Sequence, residues 1–238
     1  FVAVASFATV GLCQFSSPPD RVVRCRRHDE EVSMFRPLPV IAFLFGAVSF
    51  SPGNNPGVAS ADDQVYAWGM NSYSQCNVPA DYPLGCISAS YFVSAGVTYS
   101  GAVLAWGMCW TDNCTVPPPN EGFVAVACGA NHSLGLEAGG SIVAWGSGQL
   151  GQCSVPEPNA GFVAVAADYD YSLGLRADGS IEAWGSNEFG QCDVPEPNSG
   201  FIAISAGSRH ALGLRADGTI AAWGATGTVP PINTGFAA

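Results

Sequence analysis

Residues 161–199 read GFVAVAADYDYSLGLRADGSIEAWGSNEFGQCDVPEPNS. The preceding residues 122–160 give GFVAVACGANHSLGLEAGGSIVAWGSGQLGQCSVPEPNA, and residues 200–234 give GFIAISAGSRHALGLRADGTIAAWGATGTVPPINT. A fixed period of this length is the mark of a repeat architecture. Trp68, Trp106, Trp145, Trp184 and Trp223 mark five units, spaced by 38, 39, 39 and 39 residues.

Within one unit, Phe162–Ala166 is a short apolar run rich in β-branched residues, too short for a helix. The runs Tyr171–Leu175 and Ile181–Trp184 follow, separated by Ala177-Asp178-Gly179-Ser180. Asp-Gly between strand-like runs is a hairpin signal, because Gly accepts positive φ without steric cost. The turn recurs at Asp217-Gly218, and Gly139-Gly140 stands there one unit earlier. After the Trp, a loop leads to Val-Pro, and Pro cannot donate to a central ladder. Each unit therefore predicts three strands, with room for a short fourth, and then a polar crossing. So small a sheet cannot bury both faces alone, so neighbours must stack. Radial stacking of small antiparallel sheets makes a β-propeller, and a Trp at one place per unit predicts packing between blades. Its indole N–H then needs one acceptor.

The chain is 48% hydrophobic and 11% charged, with no Lys and eight Arg. From Asp62 onward three Arg stand against fifteen acidic residues, a net charge of −12. A region so acidic repels phosphate backbones, which argues against nucleic acid as a partner. Residues 34–61 contain Met34 and Arg36, an apolar run from Leu38 to Phe50, and Ala59-Ser60-Ala61. That order describes a secretory signal peptide, with Asp62 as mature N-terminus. The run is too short for a stable membrane span. Expected organisation is an upstream segment at 1–33, a signal peptide at 34–61 and a propeller over 62–238, monomeric and extracellular or periplasmic. A competing reading starts from Phe1–Ala5, identical to residues 123–127, and from Thr9-Val10-Gly11-Leu12. There residues 1–12 are strands of a split or decayed first blade whose third strand is Gln64–Trp68. The chain ends at Gly235-Phe236-Ala237-Ala238, the opening of a sixth unit.

The segments Trp184-Gly185-Ser186-Asn187, Gly190-Gln191-Cys192, Tyr171–Gly179, His132–Leu136 and His210–Leu214 resemble the regulator of chromosome condensation repeat family, over about residues 64–236. The resemblance implies an all-β propeller with about five recognisable blades of a ring that typically has seven. It also implies three functional precedents. One is a nuclear guanine-nucleotide exchange factor for a small GTPase, to which a basic, unexported chain would conform better. Another is a plant ultraviolet-B photoreceptor, whose light-absorbing Trp is missing from Gly207-Ser208-Arg209-His210-Ala211. The last is a secreted propeller that inhibits an enzyme through its loops, and unit length and export fit it best. Fold kinship alone does not transfer function.

His132 and His210 share one repeat position with Tyr171 and Val93, so they read as structural hydrogen-bonders rather than catalysts. Cys76, Cys114, Cys153 and Cys192 each lie eight residues after a repeat Trp, where the family has Leu, and read as small apolar filler. Cys86, Cys109, Cys114 and Cys128 leave room for one disulfide in an exported chain. No tight Cys pair argues for zinc, and Asp168-Tyr169-Asp170 reads as a solvated loop rather than a Ca²⁺ site. The expectation is a non-enzyme without cofactor or metal that binds a protein or glycan. Two loops vary while the strands repeat: the one before the His/Tyr position and the one after the Trp. From them Tyr91, Trp110, Asp168, Tyr169, Asp170 and Phe189 are the candidate partner-binding residues.

Overall fold

The computed structural model describes residues 65, 67, 69–79, 84–225 and 234–237. The expected signal peptide, the upstream segment, most of the proposed third strand at Gln64–Trp68 and Trp68 itself lie outside the described residues. Twelve strands form four sheets of three, each in consecutive order. Sheet one holds β1 (Leu84–Ala89), β2 (Val93–Thr98) and β3 (Val103–Gly107). Sheet two holds β4 (Phe123–Cys128), β5 (His132–Glu137) and β6 (Ile142–Gly146). Sheet three holds β7 (Phe162–Asp168), β8 (Tyr171–Arg176) and β9 (Ile181–Gly185), and sheet four holds β10 (Phe201–Gly207), β11 (His210–Arg215) and β12 (Ile220–Gly224). All pairings are antiparallel. No described helix is long and apolar enough to cross a membrane.

Each first strand packs against the first and second strands of the preceding sheet, the contact pattern of blades stacked about an axis. A bulge interrupts every first strand, as between Phe162 and Ala164. It turns Val124, Val163 and Ile202 outward while Phe123, Phe162 and Phe201 turn in. The inward ring lies across the glycine at the centre of the middle strand. A Cβ on Gly135 would stand 2.5 Å from the Phe123 ring, and one on Gly174 2.6 Å from Phe162. Those close approaches are why each Leu-Gly-Leu has Gly in its centre.

The Asp-Gly hairpins form, with a division of labour finer than the dipeptide suggests. Gly179 has φ +81, whereas Asp178 stays out of the left-handed region, and Gly179 N donates to Arg176 O at 3.0 Å. That is a turn closed by a glycine rather than a two-residue turn with both residues left-handed. The Asp178 carboxylate instead accepts from Ser180 N at 2.9 Å and Ser180 Oγ at 2.6 Å, bonds that hold its pKa below the usual carboxylate value. The turn also docks on the next unit, since Phe201 N donates to Gly179 O at 3.0 Å. Phe236 N repeats this on Gly218 O at 3.2 Å, so residues 235–236 do open a further unit.

Among the described residues the expected short fourth strand does not form. Its place on the third strand is taken by an Asn side chain from the Pro-rich crossing. Asn159 Oδ1 accepts from Ile142 N at 2.8 Å and its Nδ2 donates to Ile142 O at 2.8 Å. Asn120 on Val103 and Asn198 on Ile181 do the same. The prolines beside them have no N–H to give, so a side-chain amide imitates the missing strand.

The repeat Trp residues join one blade to the previous one. Trp106, Trp145, Trp184 and Trp223 donate their indole N–H to the carbonyls of Gln75, Asn113, Gln152 and Gln191, at 2.9–3.0 Å. Ser94, Ser133 and Ser172 donate to the first three of those carbonyls as well. Trp145, Trp184 and Trp223 are buried, as the repeat predicts. Trp106 departs from equivalence and is half-buried, in the sheet whose first strand opens with Leu84 in place of Phe.

Candidate functional site: the loop face

Because the strands alternate direction, the turn between first and second strands and the loop after the third emerge at one end of every blade. Backbone bonds tie the two loops together. Met108, Ser147, Ser186 and Ala225 donate to Phe92, Asn131, Asp170 and Arg209, all at 2.8–2.9 Å. Successive blades are joined too, through Ser90 Oγ to Gly129 O at 2.6 Å and Ala130 N to Tyr169 O at 3.2 Å. The result is a braced rim carrying the side chains that vary from unit to unit.

Two groups of side chains stand on this rim. Around sheet one, Tyr73 meets Phe92 and Trp110 edge-on at 5.4 and 6.0 Å between ring centroids, and Tyr91 meets Phe92 edge-on at 4.5 Å. Phe92 and Trp110 lie 6.3 Å apart. Such pairs contribute roughly 0.5–1.5 kcal/mol each beyond burial, so the rings brace one another. Trp110 remains 78% exposed and Tyr91 62% exposed, a large aromatic area for a solvated loop. A disulfide between Cys109 and Cys114 closes the loop that carries Trp110. That is the one pairing formed among the four irregular cysteines; Cys86 and Cys128 are buried free thiols, and burial pushes Cys128 up to about 12.

Around sheet three, Leu150, Tyr169, Asp170, Glu188, Phe189 and Arg209 line an open pocket of about 150 Å³. The Arg209 guanidinium lies over the Phe189 ring, 4.5 Å from its centroid, a cation–π contact. Tyr169 has φ +38, a conformation a bulky residue adopts at an energetic cost, and it is 56% exposed. Its amide donates to Asp168 Oδ1 at 2.6 Å.

Five of the six candidate residues therefore stand on the rim, but in two groups rather than one. Tyr91 and Trp110 belong to the aromatic group; Tyr169, Asp170 and Phe189 line the pocket. Asp168 is the exception. It is half-buried, burial raises its pKa, and the Tyr169 amide, then the nearby His210, pull it partly back. Gly129 and Gly207 hold its position in the neighbouring units, where a Cβ would stand 2.3 and 2.5 Å from the rings of His132 and His210. In sheet three the His is Tyr171, whose hydroxyl reaches across to the next blade, donating to His210 O at 2.5 Å and accepting from Gly207 N at 3.2 Å. With the ring drawn away, a side chain fits at 168, so Asp168 is a packing partner of that exchange.

His132 is structural, as its repetition predicts. It is fully buried, with Nε2 bonded to Ser172 Oγ at 2.8 Å; because that hydroxyl donates its own proton to Gln152 O at 2.9 Å, Nε2 is the donor. Among the described residues no three His, Cys, Asp or Glu side chains gather as a metal site. Tyr73, Phe92, Leu150 and Arg209 were legible as members of the variable loops. Only the fold shows that they meet the candidates.

The loops after the Trp share one design. Gln75, Gln152 and Gln191 fold back so that Oε1 accepts from the amide two residues earlier, at 2.8–3.0 Å. Asn71 and Asn187 add a second closure, Oδ1 accepting from the amides of Cys76 and Cys192 at 2.8 Å. In the third of these loops Gly148 takes the Asn position, and a Cβ placed there would lie 3.5 Å from Cys153 Cβ. Disulfides need Cβ atoms about 3.5–4.5 Å apart. Gly148→Cys should therefore oxidise onto Cys153 in air, seen by mass spectrometry as the loss of both thiol hydrogens. Persistent free thiols in the folded variant would refute that geometry.

Four stacked antiparallel sheets with loops gathered at one end define a β-propeller. Residues 123–152 and 201–227 match the model of the Regulator of chromosome condensation (RCC1) repeat. Similar solved structures include Prp20p from Saccharomyces cerevisiae, described with its binding properties to Gsp1p and histones. It shares 20% identity over 62% of this chain and 46% of that one, with TM-score 0.54. The ectodomain of the receptor kinase CR4 from Physcomitrella patens is 23% identical over 72% of this chain and 49% of its own, with TM-score 0.61. Human WBSCR16 is 21% identical over 70% and 58%, with TM-score 0.55. This chain spans about half the length of the first two. No curated protein matches its sequence.

Proposed function

We propose that the chain is an exported, monomeric, non-catalytic scaffold that binds a protein or glycan through its loop face. The observation that carries this reading is the braced aromatic group on the rim of sheet one, in which Tyr73, Tyr91 and Trp110 stand exposed around a half-buried Phe92. Aromatic side chains with few rotatable bonds are the usual anchors of such surfaces, because little entropy is lost when they bind. The pocket lined by Tyr169 and Phe189 extends the same face. A disulfide in a chain this small agrees with an oxidising compartment. A regulator of a small GTPase is the second reading, supported by the likeness of fold to Prp20p, whose description includes binding to Gsp1p.

The test is to isolate the partner by crosslinking to the exported full chain, then to measure affinities for variants. Trp110→Ala and Tyr169→Ala should each weaken binding by more than ~1 kcal/mol, about fivefold. Unchanged affinity for both, with native circular dichroism, places the binding surface elsewhere.

A further inference from the structure

We infer that the Cys109–Cys114 disulfide is a redox latch on the loop that presents Trp110. The three sibling loops show what it replaces. Cys109 stands at the position of Asn71 and Asn187, and Cys114 at that of Cys76 and Cys192. The covalent bond thus joins the same two positions that an Asn side-chain hydrogen bond joins in two siblings. The second sibling closure is also lost. Asn113 stands where Gln75, Gln152 and Gln191 stand, one methylene shorter, and its Oδ1 is buried without a partner. The amide of Thr111, two residues earlier, therefore has no side-chain acceptor of the sibling kind. Asp112 has φ +57 at the place where Gly151 and Gly190 stand in two siblings and Ser74, φ +64, in the other, so the backbone course of the loop is common to all four. Both hydrogen-bonded closures between loop positions have been exchanged for one S–S bond, so opening that bond leaves the first half of the loop, residues 109–112, with the Thr111 Oγ tie to Asn131 O and local backbone bonds, while Asn113 stays anchored on Ala130, Ser133 and Trp145.

The latch is accessible to a reductant. Cys109 is exposed and Cys114 half-buried, so a small dithiol can reach the Cys109 sulfur. Its thiolate attacks that sulfur and displaces the Cys114 thiolate. The second thiol of the reductant then releases the mixed disulfide. Two electrons and two protons pass to the protein, which ends with two thiols, while the dithiol leaves as its own disulfide. The freed Cys114 thiol can settle as its siblings do, where Cys76, Cys153 and Cys192 donate to the carbonyls of Met70, Ser147 and Ser186. Cys109 has no amide with which to replace the lost closure. Trp110 then leaves its contacts with Tyr73 and Phe92, and the aromatic group disperses. That consequence for binding rests on the reading of this face as the partner surface; the latch itself does not.

Amide hydrogen exchange on the full chain, oxidised or reduced with dithiothreitol, tests it. Reduction should speed exchange at residues 108–114 by about tenfold or more while residues 147–153 and 186–192 keep their rates. Cys109→Ser should be open under both conditions. Cys109→Asn, which rebuilds the sibling hydrogen bond, should stay protected under both. Equal exchange in oxidised and reduced wild-type protein overturns the latch, as does a Cys109→Asn loop as open as Cys109→Ser. Once a partner is known, reduction should weaken its binding to wild-type protein and not to Cys109→Asn. Failure of that arm alone, with the exchange results as expected, refutes the binding face and leaves the latch standing.

Discussion

Trp145→Ala should destabilise the chain by about 3–5 kcal/mol, read as a shift in the urea midpoint of the full chain. The indole is buried, packs 6.4 Å from the Phe123 ring and donates to Asn113 O at 2.9 Å across the blade boundary. Truncation removes the packing, opens a cavity and takes one of two donors from a buried carbonyl; Ser133 Oγ remains. Stacked units derive much of their stability from such boundaries, so losing one uncouples the blades on either side. Trp106→Ala is the internal control, since that ring makes the same bond but is half-buried, and its loss should be distinctly smaller. A loss below ~1 kcal/mol for Trp145→Ala would contradict the packing role.

Acid should weaken the fold through His132. Burial lowers its pKa from 6.5 to about 4, with the Tyr169 backbone pulling it part of the way back. Above pH 6.5 the imidazole is neutral in both states and contributes nothing to the pH dependence. Between pH 6.5 and 4 the unfolded chain binds a proton that the folded chain refuses, so stability falls as pH falls. Over that window the loss approaches about 3 kcal/mol. Asp168 works in the opposite sense: burial raises its pKa, so the folded state takes up its proton first and regains some stability at the acid end. His132→Gln keeps a donor for Ser172 Oγ and does not titrate. Urea midpoints from pH 7 to pH 4 should therefore drop less in that variant, and equal drops would exclude His132 as the cause.

The repeat register carried a great deal. From the recurring Trp, Asp-Gly and Leu-Gly-Leu came three strands per unit, their order, the stacking and the need for an indole acceptor, because these follow from periodicity and backbone stereochemistry. Which side chains vary was also legible, and with it the rim. Three matters depended on how the chain closes on itself. A fourth strand looked affordable from length alone, but the crossing is rich in Pro and an Asn amide fills the edge instead. Asp168 looked like a surface carboxylate beside Tyr169, and it is a packing partner because Tyr171 reaches into the next blade. Cys114 stood both among its repeat siblings and among four cysteines with room for one disulfide, and the loop conformation selects Cys109 as its partner. In each case the deciding contact spans a blade boundary or a loop whose conformation positions atoms within a few ångströms. Local sequence sets what each residue can donate, accept or bury. Which residue lies opposite, and whether one methylene of reach suffices, is set by the stacking of neighbouring sheets.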